Sequence, residues 1–265
     1  MSDQRPNSKK DVSYNSNVPL DPALPSNDCP NPSKAIAENP TPYVDKFDPW
    51  SSHGRILSIL SKMPAGKRIL DVGTATGTIG RMCKETGHYL YGVEPNPEWA
   101  KIAKPYYEKL YVSLLENCPD DFLRYYDVVI CADVLEHMTD PESALRRLVM
   151  LQNNGSVFLI SVPNIANLWV RLNLLFGRFE YAERGILDRT HLRFFTQKSF
   201  LALVNSAGLR VNRVHATPIP LFLAYPALSD QPWGYAILNV LRLITDLFPR
   251  LLGYQILVEA EKPMP

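Results

Sequence analysis

Four short runs of almost unbroken apolar residues limit what this chain can fold into: RILDV (68–72), YLYGV (89–93), DVVIC (127–131) and SVFLISV (156–162). A strand with one wet face alternates apolar and polar side chains, whereas a strand covered on both faces is apolar throughout. Helices on each side of a sheet supply that cover. Helical stretches do separate the runs: TIGRMCKETG, NPEWAKIAKPYYEKL and PESALRRLVMLQNNG. The last opens with Pro141 after Asp140 and stops at Asn154-Gly155, a start and a stop signal in the right order. Strand and helix in alternation predict an α/β fold, a doubly wound parallel sheet with right-handed crossovers. LRVNRVHA (209–216) and YQILVEAE (254–261) add two strands late in the chain.

Residues 1–44 contrast with the rest. Stretches such as NSNVPLDPALPSNDCPNPS hold too few apolar groups to offset the entropy of ordering, which predicts a disordered tail, with an extended arm over the domain as the alternative. Residues 45–265 then form one domain, and an apolar content of 46% over 265 residues supplies its core. A formal charge of +1 leaves no electrostatic excess to hold a polyanion, so no nucleic-acid partner is expected. Cys29, Cys83, Cys118 and Cys131 lack metal-binding or disulfide spacing and read as reduced thiols. The start MSDQRPNSKKDV has no apolar leader and no run is long enough to span a bilayer, so the expected address is cytoplasmic. No internal repeat is visible.

The ligand signal lies in RILDVGTATGTIG (68–80). In an open parallel sheet, ligands bind beyond the carboxyl ends of the strands where strand order reverses. Asp71 ends the first strand, and Gly73, Ala75 and Gly77 follow in a turn where glycine permits positive φ and close approach. A carboxylate here would repel the diphosphate of a dinucleotide, which disfavours an NAD-binding oxidoreductase. It suits a donor carrying an ammonium and a sulfonium, S-adenosylmethionine. Glu94, 21 residues after Gly73, ends the second strand in YGVEPN, where its two oxygens can accept from both ribose hydroxyls.

The segments LDVGTATG, GVEPN, YDVVICADVLEHMTDP and GRFEYAERGILDRTHLRFFT together resemble the class I S-adenosylmethionine-dependent methyltransferases. More narrowly, they look like the branch that includes ubiquinone-biosynthesis O-methyltransferases and bacterial glycan-associated enzymes. The resemblance runs from about Pro49 to the C-terminus. It implies a Rossmann-like seven-stranded sheet with the last strand antiparallel, here residues 254–261. It also implies that Asp71, Gly73, Thr74 and Gly77 line the methionine end of the cofactor, that Glu94 holds the ribose, and that Ala132 and Asp133 lie beside it. One departure stands out. The acid that often follows the third strand to meet the adenine amine is replaced in YVSLLENC by Leu114 or Leu115, with Glu116 behind.

Methyl transfer from a sulfonium needs alignment, plus a base if the acceptor is a hydroxyl. His137, in DVLEH past the fourth strand, and His191, in LDRTHLRFF after the fifth, are the candidate catalytic bases. For His137 a purely loop-shaping role stands beside catalysis. Asp133, Glu136, His137 and His191 also resemble the metal-binding set of small-RNA and some quinone methyltransferases, so a divalent ion is an alternative to a metal-free site. A non-catalytic module that keeps the cofactor as a ligand is a further alternative.

Two helical segments are apolar nearly all round, within 164–196 and 218–252. NIANLWVRLNLLFGRF puts Asn164, Asn167 and Arg171 on one stripe, and YAILNVLRLITDLFPRLLGY does the same with Asn239, Arg242, Asp246 and Arg250. Faces so wide need cover. Two readings stand: a lid in which the helices pack on each other over an acceptor pocket, and docking on a membrane or around a lipid-linked acceptor. The acceptor is expected to be a small molecule, a quinone precursor or a lipid-linked glycan.

Overall fold

The computed structural model describes residues 48–229 and 231–264; the tail expected over 1–44 and Cys29 lie outside them. In chain order the elements are α1 (Ser52–Leu60), β1 (Arg68–Val72), α2 (Thr78–Met82), β2 (Tyr89–Glu94), α3 (Pro97–Ala103), β3 (Lys109–Val112), α4 (Asp120–Leu123) and β4 (Val128–Ala132). They continue with α5 (Pro141–Leu151), β5 (Val157–Pro163), α6 (Leu168–Leu175), α7 (Gln197–Ser206), β6 (Arg210–Thr217), α8 (Leu221–Ala224), α9 (Pro232–Leu247), α10 (Pro249–Leu252) and β7 (Gln255–Glu261).

The seven strands form one sheet in the order β3-β2-β1-β4-β5-β7-β6, with β7 antiparallel to both neighbours. The four apolar runs are β1, β2, β4 and β5, paired parallel around β1. Their lack of alternation follows from double cover. In β4, Val129 and Cys131 enter the core beneath α5 and α7, while Val128 and Ile130 enter the core beneath α1 and α2. Each fully buried Leu, Ile or Val contributes about 1.5–3 kcal/mol of transfer free energy, so both faces drive assembly.

Helix starts follow local chemistry. Asn96 caps α3 and Asp140 caps α5, each followed by proline, and Thr196 with Ser199 forms a capping box on α7. The helix expected from Asn164 onward is shorter. Asn167 caps α6, and Gly177 at φ +69° ends it, with the Arg178 amide donating to Asn173 O. The second expected helix begins at Pro232 and breaks at Phe248 before Pro249.

The lid expectation meets a more specific arrangement. α6 and α9 do face one another across a cavity of about 210 Å³, lined by Leu168, Trp169 and Leu172 from one and Leu241, Ile244 and Thr245 from the other. The charged part of the polar stripe of α9, Arg242 and Asp246, however, turns into the protein. Arg242 is buried, pairs with Asp246 at 2.8 Å and stacks over Trp50, whose Nε1 donates to Asn239. Arg55 of α1 reaches the same Asp246 at 3.9 Å and meets His215 of β6, itself bound to Glu259 of β7 at 2.6 Å.

Candidate cofactor and acceptor site

Strand order reverses between β2-β1 and β1-β4, so the carboxyl ends of β1, β2 and β4 open on one crevice. Gly73 and Gly77 take φ +74° and +83°, and a Cβ at either would strike a neighbour, Val134 Cγ2 at 2.7 Å or Ala103 Cα at 2.9 Å. Ala75 holds φ +46° without being glycine. The loop amides are committed inward. Gly73 and Thr74 donate to Val93 O, Ala75 donates to Glu94 Oε2 at 2.8 Å, and Gly77 donates to Thr74 O. A diphosphate cradle needs such amides turned outward, so this geometry disfavours a dinucleotide.

Asp71 does not stand at the mouth as the sequence suggested. It is buried beneath the loop, where the Tyr107 hydroxyl donates to Oδ2 at 2.6 Å and in turn accepts from the Gly80 amide. Burial pushes its carboxyl up to about 7; the Tyr107 bond opposes this and the nearby Glu94 adds to it. Glu94 is also buried and its carboxyl is raised, again chiefly by burial. Each Glu94 oxygen accepts one backbone amide, Ala75 or Asn96, which leaves lone pairs for two hydroxyls. Thr74 is buried with its methyl against Gly92, and its hydroxyl donates to Ala75 O. Leu115 points into the core, while Leu114 and Glu116, just past the end of β3, are exposed.

Ala132 ends β4, and Asp133 follows with φ +56°. The Asp133 carboxylate accepts from Ser161 at 3.0 Å, from Gln255 and from Ser52. It therefore knits β4 to β5, β7 and α1, and it stands apart from the metal-ligand set predicted for it. The remaining three of that set do converge: ligand atoms of Glu136, His137 and His191 lie within 4.8 Å of one another. The loop 186–193 makes this possible by docking on the turn 135–137, where the Leu192 and Arg193 amides donate to Glu136 O. His137 Nδ1 meets Thr190 O at 3.2 Å and Thr190 Oγ1 at 3.1 Å, and that hydroxyl donates to Asp188. His191 Nδ1 meets Ile186 O at 3.1 Å. A carbonyl oxygen can only accept, so both rings carry hydrogen on Nδ1, and a neutral ring so held keeps its lone pair on Nε2. The rings lie edge to face, 4.9 Å apart. Burial, aided by the His137 neighbour, holds the His191 imidazole below its ordinary value, against its bond to Ile186 O and the pull of Asp188 and Asp133. Arg189 pairs with Glu183, and Arg193 binds Thr139 O.

A family model described as Methyltransferase domain matches residues 52–214. The chain belongs to that family. The ubiquinone biosynthesis O-methyltransferase of Aeromonas salmonicida is 30% identical over 169 residues, 58% of this chain and 68% of that one. A SAM dependent methyltransferase from Archaeoglobus fulgidus shares the fold with a TM-score of 0.54 and 17% identity, covering 79% of this chain and 92% of that one. Magnesium protoporphyrin IX methyltransferase from Synechocystis PCC 6803 with bound SAH does so with a TM-score of 0.54 and 14% identity, covering 80% and 83%. The protein is thus a class I S-adenosylmethionine-dependent methyltransferase, and the dinucleotide alternative falls away. Several residues of this methyltransferase's site escape sequence reading: Tyr107 under Asp71, Thr190 behind His137, and Ser161 and Gln255 around Asp133. Only Asn96 had a local signal, the Asn-Pro pair that starts α3.

Proposed function

We propose that the methyltransferase moves the donor methyl group to a hydroxyl of a small lipid-linked acceptor, a quinone precursor or a lipid-carried glycan. The convergence of one ring nitrogen each from His137 and His191 with the Glu136 carboxylate beside the end of β4 carries the reading. In the reaction the acceptor oxygen attacks the methyl carbon as the carbon–sulfur bond breaks, and sulfur leaves as a neutral thioether. The hydroxyl proton passes to a bare histidine Nε2, with His191, the more buried ring, as the base and His137 beside it. Asp71, Glu94 and the positive-φ loop hold the donor, with Ala132 next to it and Asp133 fixing the end of β4. Leu114 supplies an apolar face for adenine in place of an acid. The apolar cavity between α6 and α9 supports a lipid-linked acceptor, as does the likeness to an enzyme named for ubiquinone biosynthesis.

The same three side chains support a second reading. Two imidazoles whose Nδ1 atoms are held by carbonyls, with one carboxylate, suit a divalent cation. Glu136, His137 and His191 would hold it, and it would polarise an acceptor oxygen.

The test is transfer of labelled methyl from S-adenosylmethionine into organic-extractable material of a bacterial membrane extract. Label is expected in that fraction and should fall about 100-fold or more with His191→Ala. Donor binding with no transfer to any fraction would leave a non-catalytic cofactor-binding module. Transfer that stops after chelation and returns with added Mg²⁺ or Mn²⁺ would favour the second reading.

A further inference from the structure

α9 is amphipathic the wrong way round for a helix on a water-soluble surface. Its inward stripe is Gly234, Leu238, Arg242 and Thr245, fastened by Asp246, Arg55 and Trp50. Its outward face presents Trp233, Tyr235, Ile237, Val240, Leu243 and Leu247, the last 73% exposed. α6 continues this surface across the cavity with Trp169, Leu172, Leu175 and Phe176, the last two 76% and 73% exposed. Apolar surface this extensive marks a site of association. All of α9 lies beyond the residues matched by the family model, which end at 214.

We propose that α6 and α9 together form a docking face for an anionic lipid bilayer. Charge points to that occupant. α6 holds no acidic residue, and the single acid of α9, Asp246, is turned in to Arg242 and Arg55. Exposed Arg171, Arg178 and Arg250 border the apolar face, and residues 164–196 carry five arginines against three acids. Tryptophan and tyrosine, each with an apolar body and a polar tip, suit the headgroup boundary. A symmetric pair of chains meeting on this face would set equivalent surfaces, arginines included, against each other. Among the described residues no helix is long and apolar enough to cross a membrane, so the helices lie on the bilayer. This inference goes beyond the methyl-transfer reading, since a protein that transfers nothing can still dock.

Flotation of the full chain with vesicles of neutral phosphatidylcholine, and of phosphatidylcholine with about one third phosphatidylglycerol, tests it. The wild type is expected to float at least five-fold more with the anionic vesicles and to lose that preference in high salt. A variant with Leu175→Glu, Phe176→Glu, Val240→Glu and Leu247→Glu should remain at the bottom with unchanged circular dichroism. If that variant misfolds, Arg171→Gln with Arg178→Gln and Arg250→Gln should abolish the anionic preference alone. The proposal is overturned if the wild type stays at the bottom with both vesicles, or if the arginine variant keeps the preference. A wild-type dimer that the glutamate variant breaks, with no vesicle binding by either, would equally overturn it by making the face an interface between copies. Calorimetry with S-adenosylmethionine on the same samples separates the two failures: flotation without donor binding sinks the enzyme reading and leaves docking intact.

Discussion

If Asp71 holds the donor as proposed, its raised carboxyl makes donor binding a function of pH. In the free protein this group titrates at about 7, because burial and the neighbouring Glu94 outweigh the Tyr107 hydrogen bond. A sulfonium and an ammonium are stabilised by the ionised form, so binding draws on the ionised fraction alone. That fraction is about 0.09 at pH 6 and about 0.5 at pH 7, and apparent affinity scales with the competent fraction, which predicts about five-fold tighter binding at the higher pH. The interval stops at 7 because an α-amino group loses its own proton at about 7.7–8.0. Calorimetry in two buffers of different ionisation enthalpy should also show about half a proton released per donor bound at pH 7. Asp71→Asn should bind more weakly and without slope across this interval. Tyr107→Phe should move the slope to higher pH, since it removes the contact that favours the anion. Stability of the free protein follows the opposite sign. The folded state keeps a proton that the unfolded chain gives up above about 3.9, so each pH unit from there to 7 removes about 1.4 kcal/mol, a loss that Asp71→Asn should lack. Affinity that is flat from pH 6 to 7, or a proton taken up on binding, would refute the reasoning.

Ala75→Gly should raise stability by about 0.5–1 kcal/mol, read as a higher melting temperature, because φ +46° strains an alanine and not a glycine. Glu94→Gln must turn an amide donor toward either the Ala75 or the Asn96 N–H, so a stability loss of about 1–3 kcal/mol should accompany at least ten-fold weaker donor binding, by thermal melting and calorimetry. Elemental analysis after dialysis against Mn²⁺ or Zn²⁺ should find at most one ion per chain, lost in His191→Ala, if the three-residue cluster takes metal; retention by that variant would place the ion elsewhere.

Double burial is what made the sheet legible. Val128 to Cys131 alternate between two cores, so neither face leaves a polar trace, and a run of that kind has few other uses in a chain of this length. α1 and α7 carried no such mark. Their starts rest on Ser51 and Thr196 caps that resemble many loop residues. In the site, the positions that sequence could name are those spaced by the strand–turn–helix unit itself, Asp71, Gly73, Gly77 and Glu94. Their working states were not legible, because they depend on partners far along the chain: Tyr107 lies 36 residues from Asp71, and Thr190 lies 53 from His137. Asp133 shows the same limit in reverse. Its spacing from Glu136 and His137 suited a shared ion, but Ser161 and Gln255, brought in by β5 and β7, claim its carboxylate first.

α9 shows why a polar stripe does not reveal which way it faces. Arg242 and Asp246 would ordinarily meet water, since burying a charge without partners costs more than burying an apolar side chain returns. Here the partners exist beneath the helix. Arg55 and Trp50 flank Arg242 and Asp246, and His215 with Glu259 extends the network into the sheet. Removing one member of such a buried pair leaves the other charged and uncompensated, so any rotation of α9 that parts Arg242 and Asp246 from Arg55 and Trp50 is costly. With that rotation fixed, the apolar side has nowhere to turn but outward, and the exposure of Val240, Leu243 and Leu247 follows from the charges of Arg55 and Asp246.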